Sequence, residues 1–151
     1  MEERYALNKN GEGYTDLTAL EGIKRADKGK TNKPKTTEAQ EQKNLIEWAK
    51  WQEKKYPELK LLYHCPNGGT RNKLEAANLK RQGVKAGVPD LFLPVPRSPK
   101  HGLFIEMKVG RNKCTDNQKK WIRNLLEQGY EVKVCYSCEE AIQIIKRYLG
   151  I

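Results

Sequence analysis

Residues 87–108, GVPDLFLPVPRSPKHGLFIEMK, hold two apolar runs on either side of a Pro-rich turn, the pattern of a β-hairpin. Charges break both runs. Asp90 opens the first, and Glu106 and Lys108 interrupt the second. Side chains alternate across a strand, so Phe104, Glu106 and Lys108 share one face and Ile105, Met107 and Val109 the other. A turn centred near Ser98 sets Asp90 across from Glu106. Like charges facing each other weaken a ladder. A divalent cation between the two carboxylates reverses that sign, since closely held hard oxygens are what Mg²⁺ or Mn²⁺ takes. Lys108 points into the same pocket, where an ammonium stabilises developing negative charge or helps to orient and deprotonate a water. Two acids and a lysine around a metal suit in-line hydrolysis of a phosphodiester. The plainer alternative is an exposed strand face with solvated charges.

The rest of the chain frames this hairpin. Thr37 and Gln40 have capping-box spacing, and Leu45, Ile46, Trp48 and Ala49 then recur at helical spacing up to Tyr56-Pro57. Residues 59–65, LKLLYHC, read as a strand, and residues 71–82 as a helix stopped by Gly83. Strands are expected over 90–95 and 103–109. Thr115 with Gln118 opens a helix running to Gly129, residues 131–136 alternate as a strand, and Ser137 with Glu140 caps a last helix. A final strand reached through a helix lies parallel to its neighbour. The expected fold class is therefore α/β: a mixed sheet with helices on both faces, in three layers.

The 151 residues suffice for one domain with a core. Residues 1–35, rich in Lys, Gly, Asn and Thr, read as a basic arm with a short helix or docking segment over 15–25 and a linker over 26–35. The domain proper is expected over 36–151. Lys and Arg number 29 against 19 acids, leaving +10 and favouring a polyanionic partner, nucleic acid first. No apolar run reaches membrane-spanning length and no signal-peptide core is present, so the expected location is cytoplasmic, without a membrane partner. Cys135 and Cys138 have the spacing of half a zinc site, yet no second pair follows, and the reading taken is structural. His64 and His101 are read as packing or solvated residues. Trp48, Trp51 and Trp121 fall on expected helices and are read as core or interface before base-stacking platforms.

Pro89-Asp90 followed by Glu106-Met107-Lys108 resembles the PD-(D/E)XK nuclease superfamily. The surroundings are similar to the VRR-NUC (virus-type replication-repair nuclease) domain, specifically its small stand-alone phage type. The matching stretches are TEAQEQ at 37–42, CPNGG at 65–69, GVKAGVPDLFLPVPR at 83–97, HGLFIEMKVG at 101–110, TDNQKKWI at 115–122 and GYEVKVCYSCEEAIQIIKRYL at 129–149.

The resemblance implies a restriction-endonuclease-like fold and a Mg²⁺- or Mn²⁺-dependent endonuclease. It would be selective for branched DNA such as flaps or Holliday junctions, act in phage replication, recombination or repair, and need no small-molecule cofactor. A phage-encoded protein would work in the host cytoplasm. It also implies a homodimer, since cutting two symmetric strands calls for two related sites. Carried over by position, Asp90 and Glu106 are metal ligands, with the Met107 carbonyl as a further one, and Lys108 is the catalytic lysine. An acid of the first helix joins them: Glu38 is favoured and Glu41 is the alternative, either being also a favourable charge in a helix's first turn. Gln118 matches a family glutamine near the active site, and is equally the partner of Thr115 in a capping box. Asn67, Arg71 and Lys85 are weaker candidates for DNA contacts. A non-catalytic DNA-binding protein on the same fold is the competing reading. A protein-interaction module with an incidental basic face is the third.

Overall fold

A computed structural model of the chain describes residues 36–66 and 73–151. The arm expected over 1–35, with its short helix, lies outside the described residues. So do Asn67 and Arg71.

Four strands form one mixed sheet: β1 (Tyr63–His64), β2 (Leu91–Leu93), β3 (Leu103–Met107) and β4 (Glu131–Cys135), side by side in that order. The first three run antiparallel to their neighbours, and β3 and β4 are parallel. The hairpin pairs Leu91 with Ile105 and Phe92 with Phe104. Continued by one residue, that register sets Asp90 against Glu106, as the turn position led one to expect.

The odd-numbered strand residues Leu91, Leu93, Leu103, Ile105, Met107 and Cys135 bury one face of the sheet. Against it pack α1 (Glu38–Gln52), through Leu45 and Ala49, and α4 (Cys138–Leu149), through Ala141, Ile145 and Leu149. Each fully buried Leu or Ile here contributes about 1.5–3 kcal/mol. The opposite face carries Phe104 and Val132, with Phe92 and Val134 beside them, covered by Ile122 and Leu126 of α3 (Asp116–Glu127). Phe92 and Phe104 stack across the ladder with centroids 4.0 Å apart. The three-layer arrangement expected from the order of elements is the one observed.

Each of the three long helices starts where a hydroxyl accepts an orphan N–H: Thr37 from Gln40, Thr115 from Gln118, and Ser137 from Glu140. Only Thr115 and Gln118 complete a reciprocal box, because the Gln40 amide turns to Asn44 and Glu140 accepts from Tyr136 N–H. Gly150, in the left-handed region, ends α4.

Of the strand expected over 59–65, residues 59–61 instead end a 3₁₀ helix, Pro57–Leu61, and Tyr63–His64 form the strand. Pro57 at its start presets a helical φ, and the leucines that bury are Leu59 and Leu62, three apart, while Leu61 is 51% exposed. Three-residue spacing won over alternation. The strands expected over 90–95, 103–109 and 131–136 close at Leu91–Leu93, Leu103–Met107 and Glu131–Cys135. The helix expected over 71–82 is α2 (Lys73–Arg81), which lies open to solvent with Leu74 70% exposed. Of the tryptophans, Trp48 packs partly against the core, whereas Trp51 is 84% exposed and belongs to no core.

Candidate active site

The site forms at one end of the sheet, where β2 begins, β3 ends and the first turns of α1 and α3 converge. Asp90 sits one residue before β2, behind Pro89, which has no N–H to offer a ladder. Three contacts hold Asp90. Its Oδ2 accepts the Met107 backbone N–H at 2.8 Å. Its carbonyl accepts the Cys65 N–H and the His64 ring, each at 2.8 Å. A carbonyl only accepts, so His64 donates from Nδ1.

Glu106 is fully buried. Its Oε1 accepts from Lys108 Nζ at 2.5 Å and from Gln118 Nε2 at 2.5 Å. Its Oε2 is, among the described residues, the one buried side-chain oxygen or nitrogen without a hydrogen-bond partner. An orphaned carboxylate oxygen in such a place is costly unless something occupies it. Burial, and then the charge of Asp90, push the Glu106 carboxyl up to about 7 despite the lysine beside it. Burial also raises Asp90, against the opposing pull of the Met107 N–H and Lys108. Burial alone would lower the Lys108 ammonium, but Glu106, Glu38 and Asp90 outweigh it and the net shift is upward.

Lys108 is 5% exposed, and Nζ also donates to the Met107 carbonyl at 3.1 Å. Glu38 comes in from α1, its Oε2 3.7 Å from Lys108 Nζ and its Oε1 accepting from Asn112 Nδ2 at 2.8 Å. Glu41, one turn along, faces elsewhere: it is buried, and Oε2 accepts the Cys138 N–H at the start of α4, at 2.6 Å. Gln118 holds both positions weighed for it, accepting from Thr115 N–H through Oε1 and donating to Glu106 through Nε2. Asn112 carried no signal in the sequence. It reaches the site because the turn after β3 folds back toward α1.

The loop into Asp90 is fixed against α3. Gly87 has φ +92°, and a Cβ there would meet the Asn117 backbone at 2.8 Å, one residue before Gln118. Only glycine permits both that conformation and that approach. Lys85 lies exposed in the same loop. Cys135 and Cys138 are buried free thiols, Cys138 pushed up to about 11 by burial and then by Glu139 and Glu41.

Asp90, Glu106 and Glu38 against one ammonium leave two negative charges in excess when all are ionised. The oxygens gathered there are hard donors: the carboxylates of Asp90, Glu106 and Glu38 and the Met107 carbonyl. Among the described residues no three His, Cys, Asp or Glu form a metal cage by themselves. A cation that keeps several waters and takes one or two carboxylates needs none. The donor set and the orphaned Oε2 fit a hard divalent ion.

The profile of the VRR-NUC domain matches residues 30–139. This chain belongs to the VRR-NUC domain family. A solved structure described as a VRR_NUC domain protein is similar to it at 34% identity and a TM-score of 0.66, over 78% of this chain and 91% of that one. No curated protein matches. Membership makes this VRR-NUC domain one of a nuclease family and implies hydrolysis of a DNA substrate. No helix among the described residues is long and apolar enough to cross a membrane.

Proposed function

We propose that this VRR-NUC domain is a divalent-metal-dependent endonuclease of the PD-(D/E)XK type that cuts branched DNA, flaps or four-way junctions, as a homodimer. In this reading it serves phage replication, recombination or repair in the host cytoplasm. The observation that carries the catalytic part is Glu106 Oε2, a buried carboxylate oxygen with no partner, one strand across from Asp90.

Asp90, Glu106 and the Met107 carbonyl would hold a Mg²⁺ or Mn²⁺. Such an ion, when bound, supplies Lewis-acid polarisation of the phosphate and a more acidic water. The protein's own groups do the rest. The Met107 N–H fixes the Asp90 carboxylate. Gln118, itself locked by the α3 cap, fixes one oxygen of Glu106 and leaves the other directed inward. Lys108 has three N–H donors, two of them used on Glu106 and Met107. The third is available to an attacking water or to a non-bridging phosphate oxygen, where it stabilises the charge that builds up in the transition state. Glu38, steadied by Asn112, holds the water side of Lys108. Glu38 is thus the acid assigned to the site, and Glu41 a support of α4.

The test is a cleavage matrix: labelled duplex, flap and four-way junction, each with Mg²⁺, Mn²⁺, Ca²⁺ or EDTA. Metal-dependent cutting of a branched substrate is expected, falling about a hundredfold or more in Asp90→Asn and in Lys108→Ala. Unchanged cutting in either variant overturns the role given to that residue. Binding without turnover under every metal overturns the enzyme.

A further inference from the structure

We infer that the cleft beside the active site is a pocket for one unpaired nucleobase of the substrate strand, stacked on Trp121 next to the phosphate that is cut. This rests on the nuclease reading above. The cleft has a volume of about 380 Å³ and is lined by Cys65, Pro66, Gln82, Val84, Val88 and Trp121, with Gly83 and Lys85 completing the rim. Its walls are apolar or aromatic, and its edge carries an amide and a cation. That composition suits a flat heteroaromatic ring carried on a phosphate chain.

Two short stretches of chain and one hydrogen bond place the cleft against the chemistry. Trp121 lies three residues beyond Gln118, which holds Glu106, so its Cα sits about 4.5 Å further along α3. Val88 is two residues before Asp90. The Cys65 N–H is bonded to the Asp90 carbonyl. A strand whose phosphate rests at Asp90 and Glu106 therefore brings a neighbouring nucleotide to the mouth of the cleft.

Trp121 does not belong to the core beneath α3, which is built from Ile122 and Leu126 with Phe104, Cys114 and Val132. Its place on an expected helix predicts core or interface. In the fold it contributes aromatic surface to an open cleft. A base paired inside a duplex cannot enter without leaving its stack, whereas a base at a branch point is already free, so the pocket favours branch points. Lys85, exposed at the rim, is placed to meet the phosphate of that nucleotide.

The experiment uses the full chain and a labelled flap whose cut site has been mapped, with one abasic nucleotide moved through the positions around the cut. Binding is read by anisotropy in EDTA and cleavage by gel in Mg²⁺. One abasic position should weaken binding by the wild type about tenfold. Trp121→Ala should bind the intact flap about tenfold more weakly and be indifferent to that abasic position, and Trp121→Phe should recover most of the loss. Gln82→Trp, a change at an exposed position that fills the cleft, should reproduce the Trp121→Ala pattern if Trp121→Ala folds poorly. A flat abasic scan with intact cutting overturns the pocket and leaves the nuclease standing, as does equal abasic sensitivity in wild type, Trp121→Ala and Gln82→Trp. Failure of the wild type to bind any branched DNA at low salt overturns both.

Discussion

At the scale of single residues, Asp90 and the buried Glu106 are two carboxylates held near each other, an arrangement that either a proton on Glu106 or positive charge between them relieves. Lys108 supplies one such charge. If a divalent ion supplies the rest, millimolar Mg²⁺ or Mn²⁺ should raise the melting temperature of the wild type by several degrees, because binding to the native state alone shifts the unfolding equilibrium. Asp90→Asn should lose most of that rise, and equal shifts in the two proteins, read by scanning calorimetry, would remove Asp90 from the ligand set.

Glu38 and Glu41 make a sharper comparison, being three residues apart with opposite surroundings. Glu41→Ala strips a buried hydrogen bond from the start of α4, a cost of about 1–3 kcal/mol. That should lower the melting temperature by several degrees while the folded fraction keeps cutting. Glu38 is partly exposed, so Glu38→Ala should barely move the melting temperature while reducing turnover. Thermal melts beside cleavage rates decide it, and the reverse pattern would exchange the two roles.

Elements matter here mainly by their ends. The start of α3 does two tasks with one side chain, since the Gln118 amide caps the helix and clamps Glu106. The loop before β2 is pressed on that same turn at Gly87. Gly87→Ala meets a left-handed backbone conformation costing about 1–2 kcal/mol and a wall of backbone at Asn117. It should therefore push Asp90 and Gln118 apart, lowering turnover at least tenfold along with the melting temperature. Gly150→Ala serves as control, for its φ is also positive but a Cβ there meets nothing within 4 Å. It should lose some stability and keep the greater part of its activity. Equal losses of activity in the two variants would show that backbone strain, and not contact with α3, is what counts.

Taken whole, the molecule carries +10 on 151 residues around a site whose own excess is negative. On the proposed reading the outer surface gathers DNA, and a cation that compensates the carboxylates tightens its hold at the centre. Affinity for branched DNA should fall steeply with salt, with a slope of several in log–log form. Two-fold cutting of a junction calls for two sites related by symmetry. Light scattering at micromolar concentration is expected to give the mass of two chains, and a monomer both with and without DNA would dismiss the dimer.

Local chemistry alone was enough for much of this. The hydroxyl caps at Thr37, Thr115 and Ser137 and the strand period of the hairpin depend on neighbours within a few residues, and so are written where they act. Even the pairing of Asp90 with Glu106 followed from the position of one turn. What the linear order could not express is which distant groups share a space. Glu41 met the start of α4 and Glu38 met Lys108, Asn112 became a partner of α1 only through the fold of a turn, and Trp121 came to line a cleft built in part by residues 82–88. Residues 57–61 coiled because two leucines three apart found the core. Those outcomes depend on long-range packing and desolvation, and these exist only once the layers have closed.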